Sequence, residues 1–276
     1  MQHPAFKDGN VAVVTGAADG IGLAFAQRCL AMGMRVCIAD IDPEKLANAA
    51  KQMPGVVSVT TDVSQLEQVQ SLQDRALAEF GQVDVLMNNA GIGRPTNSWD
   101  NYENWQTVLN TNLWGVINGL QVFTADMLAQ NSPGVIINTG SKQGITSPPG
   151  NPAYNVSKAG VKAVTEALQH QLRNTENCQL SAHLLVPGFT YTGMIRSFIP
   201  EKPDAAWSAE QVADFLMASI GNGDFYILCP DNDVDRETDN KRMAWAMGDL
   251  IHNRPPLSRW HPDFAAEFEA FVAAQD

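Results

Sequence analysis

The chain has 276 residues, of which 45% are hydrophobic and 17% charged, a composition that excludes a disordered protein and fits one large α/β domain. Its formal net charge of −12 argues against partners such as nucleic acid or an anionic membrane surface. The four cysteines lack CxxC spacing, the five histidines form no zinc-binding pair, and the N-terminus has no apolar signal core. These features predict a cytoplasmic protein without a metal site.

In chain order, short β-branched runs alternate with longer helical stretches. Strands are predicted at 11–15, 35–40, 56–60, 83–87, 134–139, 179–186 and 225–228, and helices at 20–33, 43–53, 64–80, 103–129, 153–175 and 208–220. Near-continuous apolar strands indicate a parallel sheet that is covered on both faces. The fold class expected is therefore α/β, a Rossmann-type doubly wound parallel sheet of about seven strands, with a helical C-terminal extension.

Two later segments depart from this alternation. Residues 190–207 form an irregular stretch with two prolines, which is typical of a substrate loop or lid. The main dinucleotide-binding and catalytic domain is expected to span 1–230. Residues 231–276 would extend it with helices at 235–252 and 262–274. Met243, Met247 and Leu250 form an apolar stripe there. The stripe fits packing on the domain itself or a neighbouring subunit, or a cap over the substrate mouth.

A glycine-rich loop directly follows the first predicted strand. Gly16, Gly20 and Gly22 have GxxxGxG spacing and open a helix, an arrangement that lets the backbone approach a pyrophosphate. Asp40 ends the second strand, where a carboxylate can accept hydrogen bonds from adenosine ribose or, alternatively, cap the next helix. Asp40 would repel a 2′-phosphate. Neither Ile41, which follows it, nor Asp19, which precedes Gly20, supplies a cation for that phosphate, so the cofactor predicted is NAD, not NADP.

Acid–base chemistry is indicated by Tyr154 and Lys158, which are four residues apart on a predicted helix and share one face. A nearby ammonium or a positive nicotinamide ring would lower the pKa of the phenol, so that Tyr154 could take a proton from an alcohol. Ser141 directly follows a strand, and its hydroxyl could hold the substrate oxygen.

The glycine loop, Asn88 to Gly91, Ser141 and the Tyr154–Lys158 pair together resemble the single-domain branch of the short-chain dehydrogenase/reductase family over about 9–229. The resemblance implies catalytic roles for Asn112, Ser141, Tyr154 and Lys158, with Lys158 also holding the nicotinamide ribose; Asn110 is an alternative to Asn112. It also implies a homo-oligomer, a dimer or tetramer, formed through helices 103–129 and 153–175.

The cofactor contacts predicted from the loop and from the resemblance line the carboxyl ends of the strands. They are Gly16, Asp19, Gly20, Ile21, Gly22, Asp40, Asp62, Val63, Asn89, Ala90, Gly91, Tyr154, Lys158, Pro187, Gly188, Thr190, Thr192 and Met194. Asp62 could equally cap a helix.

Residues flanking the chemistry are expected to bind a small-molecule substrate. They are Ser141, Gln143, Tyr154, Phe189, Met194, Phe198 and Trp207, with Arg94, Ile145, Pro149 and Ile195 beside them. Met194 and Phe198 could share a lid helix or pack in the core, and Arg94 could bind a substrate carboxylate or lie on a solvated rim. The apolar walls favour a bulky hydrophobic or aromatic secondary alcohol.

The function predicted is an NAD-dependent oxidoreductase that transfers a hydride between such an alcohol, or its ketone, and NAD. Alternatives are a cis-dihydrodiol dehydrogenase of aromatic catabolism, a hydroxysteroid or 3-oxoacyl reductase, and a non-catalytic NAD-sensing protein. The last class often lacks the Tyr or Lys that this chain has at 154 and 158.

Overall fold

A computed structural model describes residues 2–274, so the first residue of the predicted domain 1–230 and the last two of the predicted extension 231–276 lie outside it. Seven strands form one parallel sheet in the order β3-β2-β1-β4-β5-β6-β9. They are β1 (Val11–Thr15), β2 (Arg35–Asp40), β3 (Val57–Thr60), β4 (Val85–Asn88), β5 (Gly134–Thr139), β6 (Leu180–Val186) and β9 (Tyr226–Leu228). Two-residue strands, β7 (Thr190–Tyr191) and β8 (Trp207–Ser208), pair separately.

Helices connect these strands. They are α1 (Gly20–Ala31), α2 (Pro43–Lys51), α3 (Leu66–Phe80), α4 (Tyr102–Leu109), α5 (Gly115–Ala129), α6 (Gln143–Thr146), α7 (Pro152–Arg173), α8 (Gly193–Arg196), α9 (Ala209–Asn222), α10 (Arg236–Ile251) and α11 (Ala265–Ala273). Within residues 2–274, no helix combines the length and apolar character needed to cross a membrane.

The sheet separates two apolar layers, as the near-continuous apolar strands predict. Phe25 of α1 and Leu216 of α9 are buried on one face, and Phe123 of α5 and Leu168 of α7 on the other. Because every pairing in the seven-stranded sheet is parallel, the carboxyl ends of all its strands meet at one edge. The predicted Rossmann-type fold class, with its helical C-terminal part, is confirmed.

Several predicted boundaries are wrong. The helix expected at 103–129 is two helices, α4 and α5, joined by a π-helical turn at Asn110–Trp114. The stretch 190–207 is not wholly irregular, since it contains β7 and the short helix α8, and β7 pairs with Trp207 at the start of β8. The last helix is divided into a 3₁₀ turn, Pro262–Phe264, and α11.

The C-terminal extension has a small core of its own. Trp245 packs edge-on against Phe268 and Phe271, with ring centres 5.4 and 5.3 Å apart, and its Nε1 donates to Ser258 Oγ at 2.8 Å. The guanidinium of Arg254 lies 3.9 Å from the Trp245 ring centre. Helix α10 also contacts α6 of the main domain. The division at residue 230 stays a prediction.

The predicted apolar stripe on α10 does not act as one surface. Met243 packs against the core of the main domain, whereas Met247 and Leu250 are 57% and 80% exposed. The contact of Met243 agrees with packing on the domain itself, while the outer part of the stripe faces solvent.

Candidate active site

The loop between β1 and α1 carries the glycine motif. Gly16 and Gly20 have φ values of +62° and +59°, the left-handed region that favours glycine. A Cβ on Gly22 would lie 2.4 Å from the carbonyl oxygen of Gly16, so a side chain there would distort the loop. Because α1 begins at Gly20, the N–H groups of Gly20, Ile21 and Gly22 belong to its first turn. This bare backbone at a helix N-terminus fits the pyrophosphate of a dinucleotide.

Asp19 joins the glycine loop to α8. Its Oδ1 accepts a hydrogen bond from Gly20 N at 2.6 Å, which caps α1. The guanidinium of Arg196 donates to both oxygens of the same carboxylate, at 2.7 and 2.5 Å. The residues next to the glycine loop in the sequence supply no cation, but the fold brings the guanidinium of Arg196 beside it. The positive charge of Arg196 is balanced by the carboxylate of Asp19.

Asp40 faces the glycine loop from the end of β2. Its Oδ2 accepts a hydrogen bond from Ala18 N at 3.1 Å. The N-cap of α2 is Asp42, which accepts from the N–H groups of Glu44 and Lys45. The alternative in which Asp40 caps that helix is therefore wrong, and its carboxylate lies between the glycine loop and the next turn.

Asp62 and Val63 follow β3. Asp62 Oδ1 accepts hydrogen bonds from the N–H and the hydroxyl of Ser64, at 3.0 and 2.7 Å. The N-cap of α3 is Gln65, so the alternative of Asp62 as its N-cap is wrong. Val63 is buried against Gly115, where a Cβ would lie 2.6 Å from a Val63 methyl group. The pair thus forms a fixed turn beside the edge of the sheet.

Asn89 and Ala90 bring the end of β4 against the glycine loop. Their N–H groups donate to Thr15 Oγ1 at 3.0 and 3.2 Å, and Asn89 Nδ2 donates to the carbonyls of Thr15 and Gly16. A Cβ on Gly16 would lie 2.7 Å from Ala90 Cα. The sequence alone did not reveal the role of Thr15 as an acceptor for these two N–H groups, because its only signal is a hydroxyl immediately before the first glycine.

Ser141, Tyr154 and Lys158 converge beside β5. The Tyr154 phenol lies near enough to the Ser141 side chain for Ser141 to lower the phenol pKa. Lys158 Nζ donates to the carbonyl of Thr139 at 2.8 Å and lies 5.7 Å from the centre of the Tyr154 ring. A Cβ on Gly91 would lie 3.5 Å from the same Nζ. The structure therefore brings the end of β4, the end of β5 and α7 together.

Burial sets the protonation of the two titratable groups. It raises the pKa of the Tyr154 phenol, and the neighbouring Ser141 side chain opposes that rise. It also lowers the pKa of the Lys158 ammonium to about 8. Among the groups of the protein itself, none lowers the pKa of the Tyr154 phenol enough to offset burial, so the expectation that the Lys158 ammonium lowers this pKa is wrong. The loss of water dominates, and Lys158 points to the Thr139 carbonyl.

Asn112 lies in the π-helical turn and is fully buried. Its side chain exchanges two hydrogen bonds with the main chain of Ile92, and its Nδ2 also donates to Ser157 Oγ at 3.2 Å. Ser157 Oγ in turn donates to the carbonyl of Tyr154 at 2.7 Å. Asn110 is exposed, so of the two candidates Asn112 alone connects the loop after β4 to α7.

Gly144 determines how closely α6 approaches α7. A Cβ there would lie 2.5 Å from the carbonyl carbon of Lys158 and 2.8 Å from Ala159 N. The contact holds Ser141, whose Oγ accepts a hydrogen bond from Gln143 N at 3.2 Å, beside the Tyr154 helix. Sequence reasoning missed Gly144, because a single glycine in an irregular stretch gives no distinguishing signal.

The segment after β6 lies over the glycine loop. Thr192 Cγ2 lies 3.0 Å from where a Cβ on Gly20 would be, and Met194 Sδ lies 3.6 Å from the same position on Gly93. Thr190 is buried, and its hydroxyl donates to the carbonyl of Gly188 at 3.2 Å. Pro187, half-buried, begins this segment.

The predicted substrate residues are only partly assembled. Phe198 is 74% exposed and lies beyond the end of α8, so it neither packs in the core nor shares a helix with Met194. Trp207 packs edge-on against Phe215 of α9, with ring centres 5.8 Å apart. Phe189 is half-buried, whereas Arg94 and Gln143 are exposed, as is Pro149; Ile145 and Ile195 are half-buried.

Lys142, the residue after Ser141, connects the site to the C-terminal extension. Its Nζ lies 2.6 Å from Asp239 Oδ2 and 3.4 Å from Asp231 Oδ2. Asp231 Oδ2 also accepts a hydrogen bond from Phe189 N at 3.2 Å. The extension thus holds the loop after β5 and the loop after β6 together, through contacts 89 and 42 residues apart in the chain that no local motif predicts.

Comparison with known proteins agrees with this geometry. A family model described as short chain dehydrogenase matches residues 10–203. The chain is 30% identical over 259 residues to a 1-deoxy-11-beta-hydroxypentalenate dehydrogenase of Streptomyces exfoliatus, a match that covers 90% of this chain and 93% of the relative.

Two solved structures are also similar. A short chain dehydrogenase/reductase from Burkholderia phymatum in complex with NAD has a TM-score of 0.82 and 34% identity, covering 91% of this chain and 97% of that one. A 3-ketoacyl-(acyl-carrier-protein) reductase from Brucella melitensis complexed with NADH has a TM-score of 0.70 and 27% identity, covering 77% and 90%. The chain belongs to the short-chain dehydrogenase/reductase family and is an oxidoreductase of that family.

Proposed function

We propose that this protein is an NAD-dependent dehydrogenase that transfers a hydride between a hydrophobic or aromatic secondary alcohol, or its ketone, and NAD. The observation that carries the proposal is the convergence of the half-buried Tyr154 with Ser141 and with the ammonium of Lys158, whose Nζ lies 5.7 Å from the centre of the Tyr154 ring. A phenol placed in this way can exchange a proton with a substrate oxygen that lies beside both the phenol and Ser141.

The catalytic roles proposed are those of Asn112, Ser141, Tyr154 and Lys158. Ser141 Oγ holds the substrate oxygen. In the reducing direction the neutral phenol of Tyr154 donates its proton to that oxygen, and in the oxidising direction Tyr154 accepts the alcohol proton as a phenolate, which the cation of Lys158 and the positive ring of bound NAD would stabilise. Lys158, whose pKa is about 8, is mostly protonated at neutral pH and places a cation beside the phenol. Asn112 fixes the loop after β4 against Ser157, which lies on α7 between Tyr154 and Lys158. NAD, when bound, would supply the hydride acceptor.

The cofactor site is proposed to use the bare backbone of the glycine loop for the pyrophosphate and Asp40 for the adenosine ribose. The contacts proposed are Gly16, Asp19, Gly20, Ile21, Gly22, Asp40, Asp62, Val63, Asn89, Ala90, Gly91, Tyr154, Lys158, Pro187, Gly188, Thr190, Thr192 and Met194. The preference for NAD is supported by the Asp40 carboxylate beside Ala18 and by the pairing of Arg196 with Asp19. An equal or higher kcat/KM with NADP would contradict it.

The substrate is proposed to contact Ser141, Gln143, Tyr154, Phe189 and Met194, with Phe198 and Trp207 further out. The mainly apolar character of this set supports a hydrophobic skeleton over a sugar. The relative from Streptomyces exfoliatus is named as a hydroxypentalenate dehydrogenase, which agrees with an alcohol substrate.

A ketoreductase acting on 3-oxoacyl groups is the second candidate, favoured by the similarity to the Brucella reductase complexed with NADH. The two candidates share Ser141, Tyr154 and Lys158, and therefore differ in substrate and direction. Steady-state rates with NAD and a panel of aryl and alicyclic alcohols, against NADH and an acetoacetyl thioester, separate them.

The proposed chemistry is tested by Tyr154→Phe, with Tyr102→Phe as the matched control because Tyr102 is 72% exposed on α4. Loss of the phenol should lower kcat by about a thousandfold or more, within the range of general acid–base catalysis. NADH affinity, measured by fluorescence titration, should change little. Turnover retained in Tyr154→Phe would contradict the role of Tyr154 and with it the mechanism.

We also propose a homotetramer, or at least a dimer. Trp114 and Val156 are 53% and 48% exposed and lie on elements that pack together, the π-helical turn and α7. A contiguous exposed apolar patch marks a subunit interface, and these two side chains are the proposed members of such a patch. Sedimentation velocity of the wild type and of Trp114→Glu tests this, with dissociation expected for the variant.

A reducing compartment, the cytoplasm, is proposed because Cys29, Cys37, Cys178 and Cys229 are all free thiols. Three of them are buried, and burial raises the pKa of Cys37 and Cys229 to about 12. Such thiols behave as small apolar residues and require no oxidising environment.

A further inference from the structure

A cavity of about 220 Å³ lies between α6 and the C-terminal extension. Gln143 belongs to its wall, and the N–H of that residue donates to Ser141 Oγ at 3.2 Å. Gln143 therefore connects the cavity wall to the hydroxyl of Ser141, which is one of the proposed catalytic groups. Its volume is too small for a whole bulky substrate but large enough for one substituent.

The carbon skeleton of a ligand would find apolar surface here. Ile145 of α6, Leu228 of β9, Met243 of α10 and Trp260 contribute to the wall. These residues come from both the main domain and the extension, so the cavity exists only because α10 packs against α6.

The charges around the cavity do not balance. Lys142 is engaged by two carboxylates, Asp239 and Asp231. Arg242 and Arg259 line the same cavity, and across residues 2–274 neither has a carboxylate within 4.0 Å. Three cations thus accompany two carboxylates, which leaves one positive charge in excess. A single negative charge on a ligand would balance it.

The two arginines also have donors to offer. Arg242 Nε is buried, and within the described part of the chain it has no hydrogen-bond acceptor. A buried donor without a partner lowers the stability of the folded protein, and a hydrogen bond to a ligand oxygen would remove that penalty. Arg259 lies over the rings of Trp260 and Phe268, at 4.8 and 5.1 Å from their centres. Stacking of this kind leaves the N–H groups in the guanidinium plane able to bind a carboxylate.

We propose that this cavity is a carboxylate subsite of the substrate pocket, and that the substrate is a hydrophobic hydroxy acid. Arg242 and Arg259 bind the carboxylate while the alcohol carbon lies at Ser141 and Tyr154. This inference rests on the proposed function, because the carboxylate belongs to the molecule that is oxidised. It assigns the anion to the extension and not to the exposed Arg94.

Equilibrium binding tests the subsite without requiring turnover. Isothermal titration of the full chain with cyclohexanecarboxylate and with cyclohexanemethanol compares a charged and a neutral probe of similar size. Arg242→Met and Arg259→Met should each weaken carboxylate binding by about tenfold or more, as for a lost hydrogen bond to a charged group. Arg94→Met is the control and should leave it unchanged. Unaltered affinity in both cavity variants, or loss in Arg94→Met alone, would overturn the proposal.

Kinetics with 4-hydroxycyclohexanecarboxylate and its methyl ester distinguish failure of the subsite from failure of the enzyme. The cavity variants should raise KM for the acid by about tenfold and leave KM for the ester unchanged. Equal changes for both compounds would contradict the subsite. If the wild type oxidises neither compound nor any other alcohol, the proposed dehydrogenase function fails, and the binding measurement still decides the subsite. NADH affinity confirms that each variant is folded, and Arg259→Met decides alone if Arg242→Met does not fold.

Discussion

The proposed active site at the edge of the sheet has two halves, and they are built by opposite means. The dinucleotide half, formed by residues 15–22, 40, 62–63 and 89–91, depends on the absence of side chains at Gly16 and Gly22. The catalytic half, formed by residues 112, 139–158 and 187–189 with α10, depends on buried polar side chains such as Lys158 and Asn112. A backbone surface can receive any pyrophosphate, whereas an alcohol and its proton need particular atoms at particular places.

This contrast predicts which measurement each substitution will change. Steric changes in the dinucleotide half should alter cofactor affinity and leave kcat at saturating cofactor nearly constant. Steric changes in the catalytic half that leave its proposed cofactor contacts Tyr154, Lys158, Pro187 and Gly188 in place should do the reverse, because a small displacement of reacting groups lowers the rate more than it lowers binding.

Gly22→Ala should have the largest effect on cofactor binding. The new Cβ would lie 2.4 Å from Gly16 O and 2.6 Å from Asn89 Nδ2, so the loop must move. We expect NADH affinity to fall by roughly a hundredfold, as for a severe overpacking. The control is Gly160→Ala, where the Cβ would meet only the flexible side chain of Leu113 at 2.9 Å. Fluorescence titration with NADH checks this, and an unchanged dissociation constant for Gly22→Ala would contradict it.

Gly144→Ala should have a somewhat smaller effect, on the rate. Its Cβ would lie 2.5 Å from the main chain of Lys158 and would push α6, with Ser141, away from α7. We expect kcat to fall by up to about a hundredfold, the cost of a misplacement near 1 Å, while NADH affinity stays the same. Gly160→Ala serves again as the control. A parallel loss of NADH affinity in Gly144→Ala would show that the two halves are not independent.

The same contrast explains how much the sequence could predict. The sheet, the glycine loop and Asp40 follow from local patterns, since strand, turn and helix are adjacent in the chain. Tyr154 and Lys158 follow from their spacing on one helix face and Ser141 from its position after a strand, whereas Asn112 follows only from the family resemblance. The contacts of Ser141 and Asn112 with α7 lie beyond local periodicity.

Long-range contacts were the part that could not be predicted. Lys142 meets Asp231 and Asp239 across about 90 residues, and nothing in the spacing of these charges indicates that they pair. The π-helical turn around Asn112 was missed because its sequence reads as continuous helix. Phe198 was assigned to the substrate from its position near the chemistry, but the chain leaves it 74% exposed.

Lys158→Met should change the pH dependence of stability. Burial lowers the pKa of Lys158 from 10.5 to about 8, so below pH 8 the folded protein carries the full cost of a buried charge, about 3 kcal/mol. The hydrogen bond to Thr139 O returns about 1 kcal/mol of this. We expect the variant to be about 2 kcal/mol more stable than the wild type near neutral pH.

This advantage has a definite pH window. Between about 8 and 10.5 the unfolded lysine still binds a proton that the folded one has lost, so the stability of the wild type rises with pH. The advantage of Lys158→Met should therefore shrink through this range. Urea unfolding of both proteins at several pH values measures it. A difference that does not vary with pH would show that Lys158 is not desolvated in the folded state.

The ion pair between Asp19 and Arg196 should have the smallest effect, although it joins the glycine loop to α8. Its side chains are 41% and 48% exposed, and exposed pairs contribute less than about 1 kcal/mol. A double-mutant cycle with Asp19→Asn and Arg196→Met should give a coupling energy below that value, decreasing further at high salt. The similarly exposed pair Arg28–Asp214, between α1 and α9, is the matched control. A coupling energy well above that of the control pair would mean that the dinucleotide half also depends on specific side chains, and the contrast between the two halves would no longer hold.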